Sequence, residues 1–388
     1  MSSSRPATRC SCPNSMKAAT LAGILTGSLG ALLPVPASSA MFQHGFSVGL
    51  NTDYDSNPTL SATAPESIWR FSASPSYTLS RNTGPDTINA RLGLAIERSS
   101  NERLSADRQD PTLSLAWTRE LTTGSFDVSA SYAEASTRVT EFQNNGLVTA
   151  DGNKITQSLS LNWSRSLDER RTLSLSAGQT GVSYQGGTLT DYSTLSTSAT
   201  LSDTWNERTA PYLRFSASHY VPDSGSTNSD SFDLMAGVNL TRTDRLSLDM
   251  SAGFNQTVAQ TDQSGWQGSF KLNYALDDRS AVSFDLGRSV ASSGIGGFTE
   301  SDQLNAHWNT ALSDQQNIGA DLSWRKSQSA GTGDSRQISL WGSRSLNDLW
   351  SLRVQYLYKQ SEGNGLAEAT GSVLTLSLSY AHPDFLDL

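Results

Sequence analysis

Few side chains in this chain stand at spacings that do chemistry. Gly45-Phe46-Ser47-Val48-Gly49 matches the Gly-x-Ser-x-Gly pattern of a nucleophile elbow. That pattern works on a sharp strand-to-helix turn that lifts the hydroxyl clear of the backbone, whereas here it lies inside a run that alternates like a strand. Gly333-Asp334-Ser335 is a fragment of a lipase-like motif in an expected outer loop, with no histidine near it. His44, His219, His307 and His382 are dispersed, and none has the helical i+4 partner that would build a metal site. They are expected as polar wall or rim residues. Asp53-Tyr54-Asp55-Ser56-Asn57 begins like a calcium loop, but Pro58 stands where the loop needs Gly and no Glu occupies the twelfth place. An EF-hand is excluded, and a solvated first loop is expected. Cys10 and Cys12 form a Cys-x-Cys pair that would suggest metal or redox chemistry. No nucleophile, base and orienting group share a neighbourhood. An enzyme, a metal centre and a bound cofactor are therefore not expected.

The cysteines have a simpler explanation. Met16-Lys17, the uncharged stretch from Ala18 to Val35 and the small-residue exit Ala37-Ser38-Ser39-Ala40 read as a cleaved secretory signal. The expected division is a signal peptide over residues 1–40, with Met16 as an alternative start, and a single domain over 41–388. Losing Arg5, Arg9 and Lys17 leaves 25 basic residues against 37 acidic ones, an exported acidic chain without cysteine.

Composition narrows the class. The chain has 388 residues, of which 17% are charged and 36% hydrophobic, with 9 Trp, 11 Tyr and 12 Phe. A nucleic-acid binder needs a basic face, and a net charge of -9 opposes one. Disordered chains are poor in aromatics. A helical membrane protein needs about 18 consecutive apolar residues, and the mature chain has no such run.

What the mature chain does have is alternation with the period of a strand whose two faces meet different surroundings. Phe71, Ala73, Pro75, Tyr77 and Leu79 alternate with Ser72, Ser74, Ser76 and Thr78, and Leu159, Leu161 and Trp163 with Ser158, Ser160, Asn162 and Ser164. Eighteen such segments run from 45–54 to 371–382, and none reads as an amphipathic helix. Short polar turns take turns with longer loops rich in Gly, Ser, Asn and Asp, the longest being Ser136–Asn153. The hairpin period of roughly 35 to 45 residues would also suit a propeller blade. Propeller blades, however, require inner strands that are apolar on both faces. A transmembrane antiparallel β-barrel of about 18 strands, with 16 as the alternative count, accounts for one apolar and one polar face throughout. Trp117, Trp163, Tyr274 and Trp308 precede short turns, and Tyr54, Tyr132, Tyr184 and Trp324 precede loops. These are the expected places of two interfacial aromatic girdles.

The pattern assigns faces. Leu161, Phe215, Leu248 and Leu272 are expected against lipid. The lumen is expected to carry Arg70, Arg91, Arg214, Lys271, Arg325, Arg353 and Lys359 against Glu97, Asp127, Asp233, Asp249, Asp285 and Asp321. Seven positive and six negative groups leave little net field, unlike a channel that draws in one sign of ion.

With its signal sequence, its strands, its girdles and the stretch Tyr54-Asp55-Ser56-Asn57-Pro58, the chain resembles the outer-membrane β-barrel proteins of bacterial exopolysaccharide and biofilm export. The resemblance implies a location in the bacterial outer membrane and passage of a secreted glycan through the lumen. It also implies a separate periplasmic export component, and it brings no catalytic residue. The competing expectation is a general or solute-selective porin. A porin folds a long loop into its lumen, a role for which Ser136–Asn153 is the candidate, though a short one.

Overall fold

The structure, a computed structural model, describes residues 41–145, 151–187, 189–223, 227–260, 262–328, 332–363 and 366–383. The expected signal peptide lies outside the described residues.

Eighteen antiparallel strands follow one another around a closed ring. They are β1 (Met41–Asp55), β2 (Ile68–Asn82), β3 (Asp86–Ser99), β4 (Arg108–Leu121), β5 (Gly124–Ser136) and β6 (Asn153–Ser166). Next come β7 (Arg171–Gln185), β8 (Tyr192–Asp203), β9 (Thr209–Pro222), β10 (Ser229–Thr243), β11 (Leu246–Val258) and β12 (Gln263–Ala275). The ring is completed by β13 (Ser280–Ser292), β14 (Phe298–Ser313), β15 (Gln316–Gln328), β16 (Thr332–Ser345), β17 (Trp350–Gly363) and β18 (Leu366–His382). Every strand pairs with its sequence neighbours, and β1 closes on β18 from Phe46↔His382 to Asp55↔Val373. Closure satisfies every edge, the condition for a sheet to cross a bilayer.

The two faces differ as the alternation requires. Leu92, Leu213 and Leu340 stand more than half exposed on the outer face, a distribution that suits lipid and not water. Inward-facing serines pair across strands, with Oγ–Oγ distances of 2.7 Å for Ser47 and Ser76, 2.6 Å for Ser129 and Ser160, and 2.7 Å for Ser176 and Ser198. Such hydroxyl pairs hold register on a hydrated wall. Aromatic contacts collect at both ends: Trp350 with Tyr380 at 5.1 Å and Trp117 with Phe126 at 5.8 Å beside short turns, and Tyr54 with Trp69 at 5.1 Å beside a loop.

The short turns are built alike. Asp168 Oδ1 accepts from the backbone of Arg170 and Arg171 at 2.8 Å each, Asp277 Oδ1 from Arg279 at 2.7 Å, and Asn347 Oδ1 from Leu349 at 2.9 Å. These side chains close the backbone as Asx turns.

Three expectations need correction. The strands run further toward the loop end than the apolar alternation does. There the outer face of β13 and β14 carries Arg288, 2.6 Å from Asp302 and 3.2 Å from Glu300, so the ladder continues where the side chains are those of a solvated surface. Gly333-Asp334-Ser335 lies in β16 and not in a loop. The longest loop, expected to be without helix, carries α1 (Thr137–Asn145).

Candidate functional site

The inward face contains more than wall. From the end of β5, α1 runs to Asn144, whose carbonyl accepts from Arg325 Nη1 on β15. In the ring, β15 stands nine places from β6 in either direction. The helix is therefore a strut across the diameter of the lumen. Three sets of contacts hold it. Arg138 donates to Ser105 Oγ at 2.9 Å and to the carbonyl of Leu104, with Asp151 at 3.8 Å. Glu141, fully buried, accepts from Lys154 Nζ at 2.8 Å and from Tyr184 OH at 3.1 Å. Arg325, besides holding the helix C-terminus as a cation should, donates to Gln303 at 2.8 Å. Burial pushes the Arg138 guanidinium pKa down and Asp151 opposes the shift; an arginine keeps its proton in either case.

On one side of the strut lies a charged network. Asp55, 1% exposed, accepts from Lys359 Nζ at 2.9 Å, from Arg70 Nη2 at 3.5 Å and from the backbone of Asn57 at 3.0 Å. Asn57 is as deeply buried and ties the first loop to β18 through Thr370 at 2.8 Å. Asp55 and Asn57, expected in a solvated loop, are thus an internal knot, and the Asp55 carboxylate is taken up by two cations of the wall. Arg108 continues the network to Asp110 at 2.6 Å and Asp151 at 3.8 Å. Between the strut and strands β1, β2 and β16 to β18 the network borders a cavity of about 220 Å³. Phe142 and Val139 from α1 and Leu357 and Val373 from the wall give it an apolar lining.

On the other side Tyr220, Tyr192, Val182 and Phe298 pack together, with the rings of Tyr192 and Tyr220 5.0 Å apart. Tyr220 OH reaches the carbonyl of Ser293 at 3.2 Å, which draws the loop after β13 inward.

The ladder register puts all thirteen expected lumen residues on the face that meets α1. It brings Arg70 and Lys359 together on Asp55, and Glu97 to Ser105 Oγ at 3.4 Å. The others spread over the wall. Arg91 donates to Ser76 at 3.3 Å, Asp127 accepts from Thr118 at 2.7 Å, and Arg214 donates to Thr200 at 3.3 Å. Asp233 accepts from Asn255 and Gln267 at 2.6 Å each, Asp249 from Tyr212 at 3.3 Å, and Lys271 stands 3.6 Å from Asp285. Arg353 lies 4.3 Å over the Trp341 ring. Asp321 pairs with His307 Nδ1 and accepts from Ser339 Oγ at 2.7 Å. In this trio the hydroxyl bonds to the carboxylate and not to the imidazole, so the histidine does not activate it as a nucleophile.

Asp53, Asp55, Arg108, Arg138, Glu141 and Lys154 were not among the expected lumen residues. Most fall at strand ends or in the long loop, where alternation carries no information. A signal was nevertheless present. Leu357 and Val373 are apolar at positions that the period assigns to the polar face, and Val373 is cross-strand neighbour to both Leu357 and Asp55.

No protein-family model matches the chain, and no curated protein matches its sequence. Among solved structures it is similar to OpdO of Pseudomonas aeruginosa, with a TM-score of 0.52 and 10% identity over 88% of this chain and 97% of that one. Similarity to OccAB4 of Acinetobacter baumannii has a TM-score of 0.50 and 9% identity over 88% and 98% of the two chains. For OccK2 (OpdF) of P. aeruginosa the TM-score is 0.50 and the identity 10%, over 88% and 97%. At such identities the likeness is one of fold. The chain is an eighteen-stranded β-barrel of the bacterial outer membrane.

Proposed function

We propose that the barrel is a passive outer-membrane channel for small solutes, with α1 as the constriction that sets what passes. The strut carries this reading, because a lumen crossed on its diameter leaves small passages beside the helix instead of one bore for a polymer. The thirteen inward residues from Arg70 to Lys359 form the lining, and the outer face contacts lipid. Small hydroxyl and amide groups let hydrated solutes exchange hydrogen bonds with the wall at little steric cost. Export of an exopolysaccharide with a periplasmic partner would require the strut to leave the lumen. Its buried ion pair and its anchoring at both ends oppose that movement.

The test is conductance in planar bilayers. A variant with residues 138–145 replaced by a Gly-Ser linker should conduct severalfold more current and admit larger sugars into liposomes. Unchanged conductance would remove α1 from the role of constriction. A deletion strain should lose uptake of a small solute and keep its surface polysaccharide; the opposite phenotype would restore the export reading.

A further inference from the structure

The two sides of the lumen that the strut separates are not equally open. The loop after β13, Ser293-Gly294-Ile295-Gly296-Gly297, does not stand clear above its own strands. The Gly294 carbonyl accepts from the backbone N–H of Thr190, between β7 and β8, at 2.7 Å, and the Ser293 carbonyl from Tyr220 OH on β9 at 3.2 Å. In the ring β13 stands five places from β8, with β9 to β12 between them. The loop is therefore a strap drawn across the inward ends of those strands. Its shape is fixed. Ser293 N–H donates to the Gly297 carbonyl at 2.9 Å, and Gly296 and Gly297 hold φ angles of 108° and 90°, which glycine adopts without strain. Gly294 lies so close to the Tyr184 ring that a Cβ there would come within 2.6 Å of it. Tyr184 also donates to Glu141, so strap and strut meet on one side chain.

The wall under the strap is packed. Ser231, Asn255 and Gln267, on the inward faces of β10, β11 and β12, are each more than nine-tenths buried. Asn255 donates to Ser231 Oγ at 2.7 Å, and the amides of Asn255 and Gln267 both donate to Asp233. Polar groups shut away from water must pair with one another in this way, whereas Arg91 and Arg214 in the lower lumen bond singly to hydroxyls. Val182, Tyr192, Tyr220 and Phe298 fill the gap between β7 to β9 and β14 with an apolar core. Across the strut, by contrast, the cavity of about 220 Å³ persists.

We infer that the strap is a second constriction, which shuts the mouth of the lumen on the β7 to β14 side. Solutes are then selected on the other side, by Val139 and Phe142 of α1 and by Leu357 and Val373 of the wall. The inference rests on the channel reading for the passage of solutes, but the closure itself can be measured without conduction.

The test uses the full-length chain with Cys10→Ser and Cys12→Ser, to which either Ser231→Cys or Leu357→Cys is added. The probe is a biotin-bearing methanethiosulfonate, its attachment in detergent followed by mass. Leu357→Cys should react readily. Ser231→Cys should react about tenfold more slowly or slower still, because a buried thiol must wait for a local opening. Tyr220→Phe keeps the ring and gives up the bond to Ser293. It should speed the reaction of Ser231→Cys roughly fivefold, the scale of one hydrogen bond, and leave that of Leu357→Cys unchanged. Thr190→Pro removes the bond to Gly294, should act in the same direction, and takes over the test if Tyr220→Phe does not fold. In bilayers the label on Leu357→Cys should remove most of the current, and less of it once the strap has been freed. Equal rates at the two positions, a slower reaction at Leu357→Cys, no effect of freeing the strap, or a labelled Leu357→Cys that keeps its current would each overturn the proposal. A barrel that labels as expected but passes no ions would refute the channel reading and leave the closure standing. A conducting barrel that labels equally at both positions would do the reverse.

Discussion

The strutted mouth and the lower barrel handle charge in opposite ways. At the mouth Glu141 and Asp55 are essentially without solvent access, and each has a cation within 2.9 Å. Toward the short turns, Arg91 and Arg214 are exposed and bond to hydroxyls, while Asp127 and Asp249 accept from Thr118 and Tyr212. The difference follows from water. Where α1 excludes solvent, an isolated charge costs several kcal/mol and must be paired; in the open lumen water solvates each group and pairing contributes about 1 kcal/mol or less. One sequence period produces both walls, and the strut together with the first loop turns one of them into a desolvated site.

The sharpest way to break this comparison is to unpair a charge at the mouth. Lys154→Met takes the cation away from the buried Glu141 carboxylate, and removing one partner of a buried pair costs about 3–5 kcal/mol. The strut should loosen, seen as faster amide exchange in α1 and noisier single-channel current. Lys154→Met with Glu141→Gln should recover most of the loss. If the double variant is as damaged as the single, the pair is not what holds the helix.

The next effect concerns the two faces of the lower wall. Leu248 pairs with Leu240 and Leu272 on the outer face, whereas Ser247 pairs with Thr241 and Asn273 inside. A charge on the lipid face costs about 2–4 kcal/mol at the midplane of the bilayer and less toward the interface, near which β11 begins. Leu248→Arg should therefore impair folding into lipid vesicles while Ser247→Arg folds. Equal yields would mean that the faces have been exchanged.

Smaller still is the effect of removing cations that are not buried in pairs. Arg214→Gln and Arg353→Gln should each change stability by about 1 kcal/mol or less, counting the loss of an aromatic contact. Their combination should shift ion selectivity toward cations, because fixed lumen charge governs which ions enter. A large loss of stability would show that the lower wall is as desolvated as the mouth.

The same contrast explains what could be read in the sequence. The ring of strands, its two faces and its turns were legible because each depends on neighbours two residues apart or on an Asp or Asn at a fixed place in a tetrapeptide, as in Leu167-Asp168-Glu169-Arg170. The site was legible only in part. Arg70 and Lys359 follow the period, but their common partner Asp55 lies at the end of β1, 304 residues from Lys359. α1 is held by Arg138 on Leu104 and Ser105, by Glu141 on Lys154 and Tyr184, and by the Asn144 carbonyl on Arg325, with Val139 and Phe142 its only aliphatic or aromatic side chains, so the helix is specified by tertiary contacts. Arg325 was legible as a lumen cation, yet its role at the end of the strut depends on a chain reversal of which strand alternation carries no trace.

The smallest predicted effect lies at the end furthest from the strut. Asp168 is held below the usual carboxylate range by the backbone N–H groups of Arg170 and Arg171, and Asp277 mainly by that of Arg279. A carboxyl whose folded pKa is depressed contributes stability above its unfolded pKa of about 3.9, and that contribution disappears as the pH falls through the lower folded value. Asp168→Asn keeps an oxygen for the two N–H groups and loses the charge. The wild type should therefore be slightly more stable than Asp168→Asn at pH 7, with the difference shrinking as the pH falls below 4. Thermal unfolding in detergent, followed by circular dichroism across that range, measures it. Both turn carboxylates are fully solvated, so the change should be far smaller than that of Lys154→Met at any pH. A difference that stays constant with pH would show that the turn depends on the geometry of its acceptor and not on its charge.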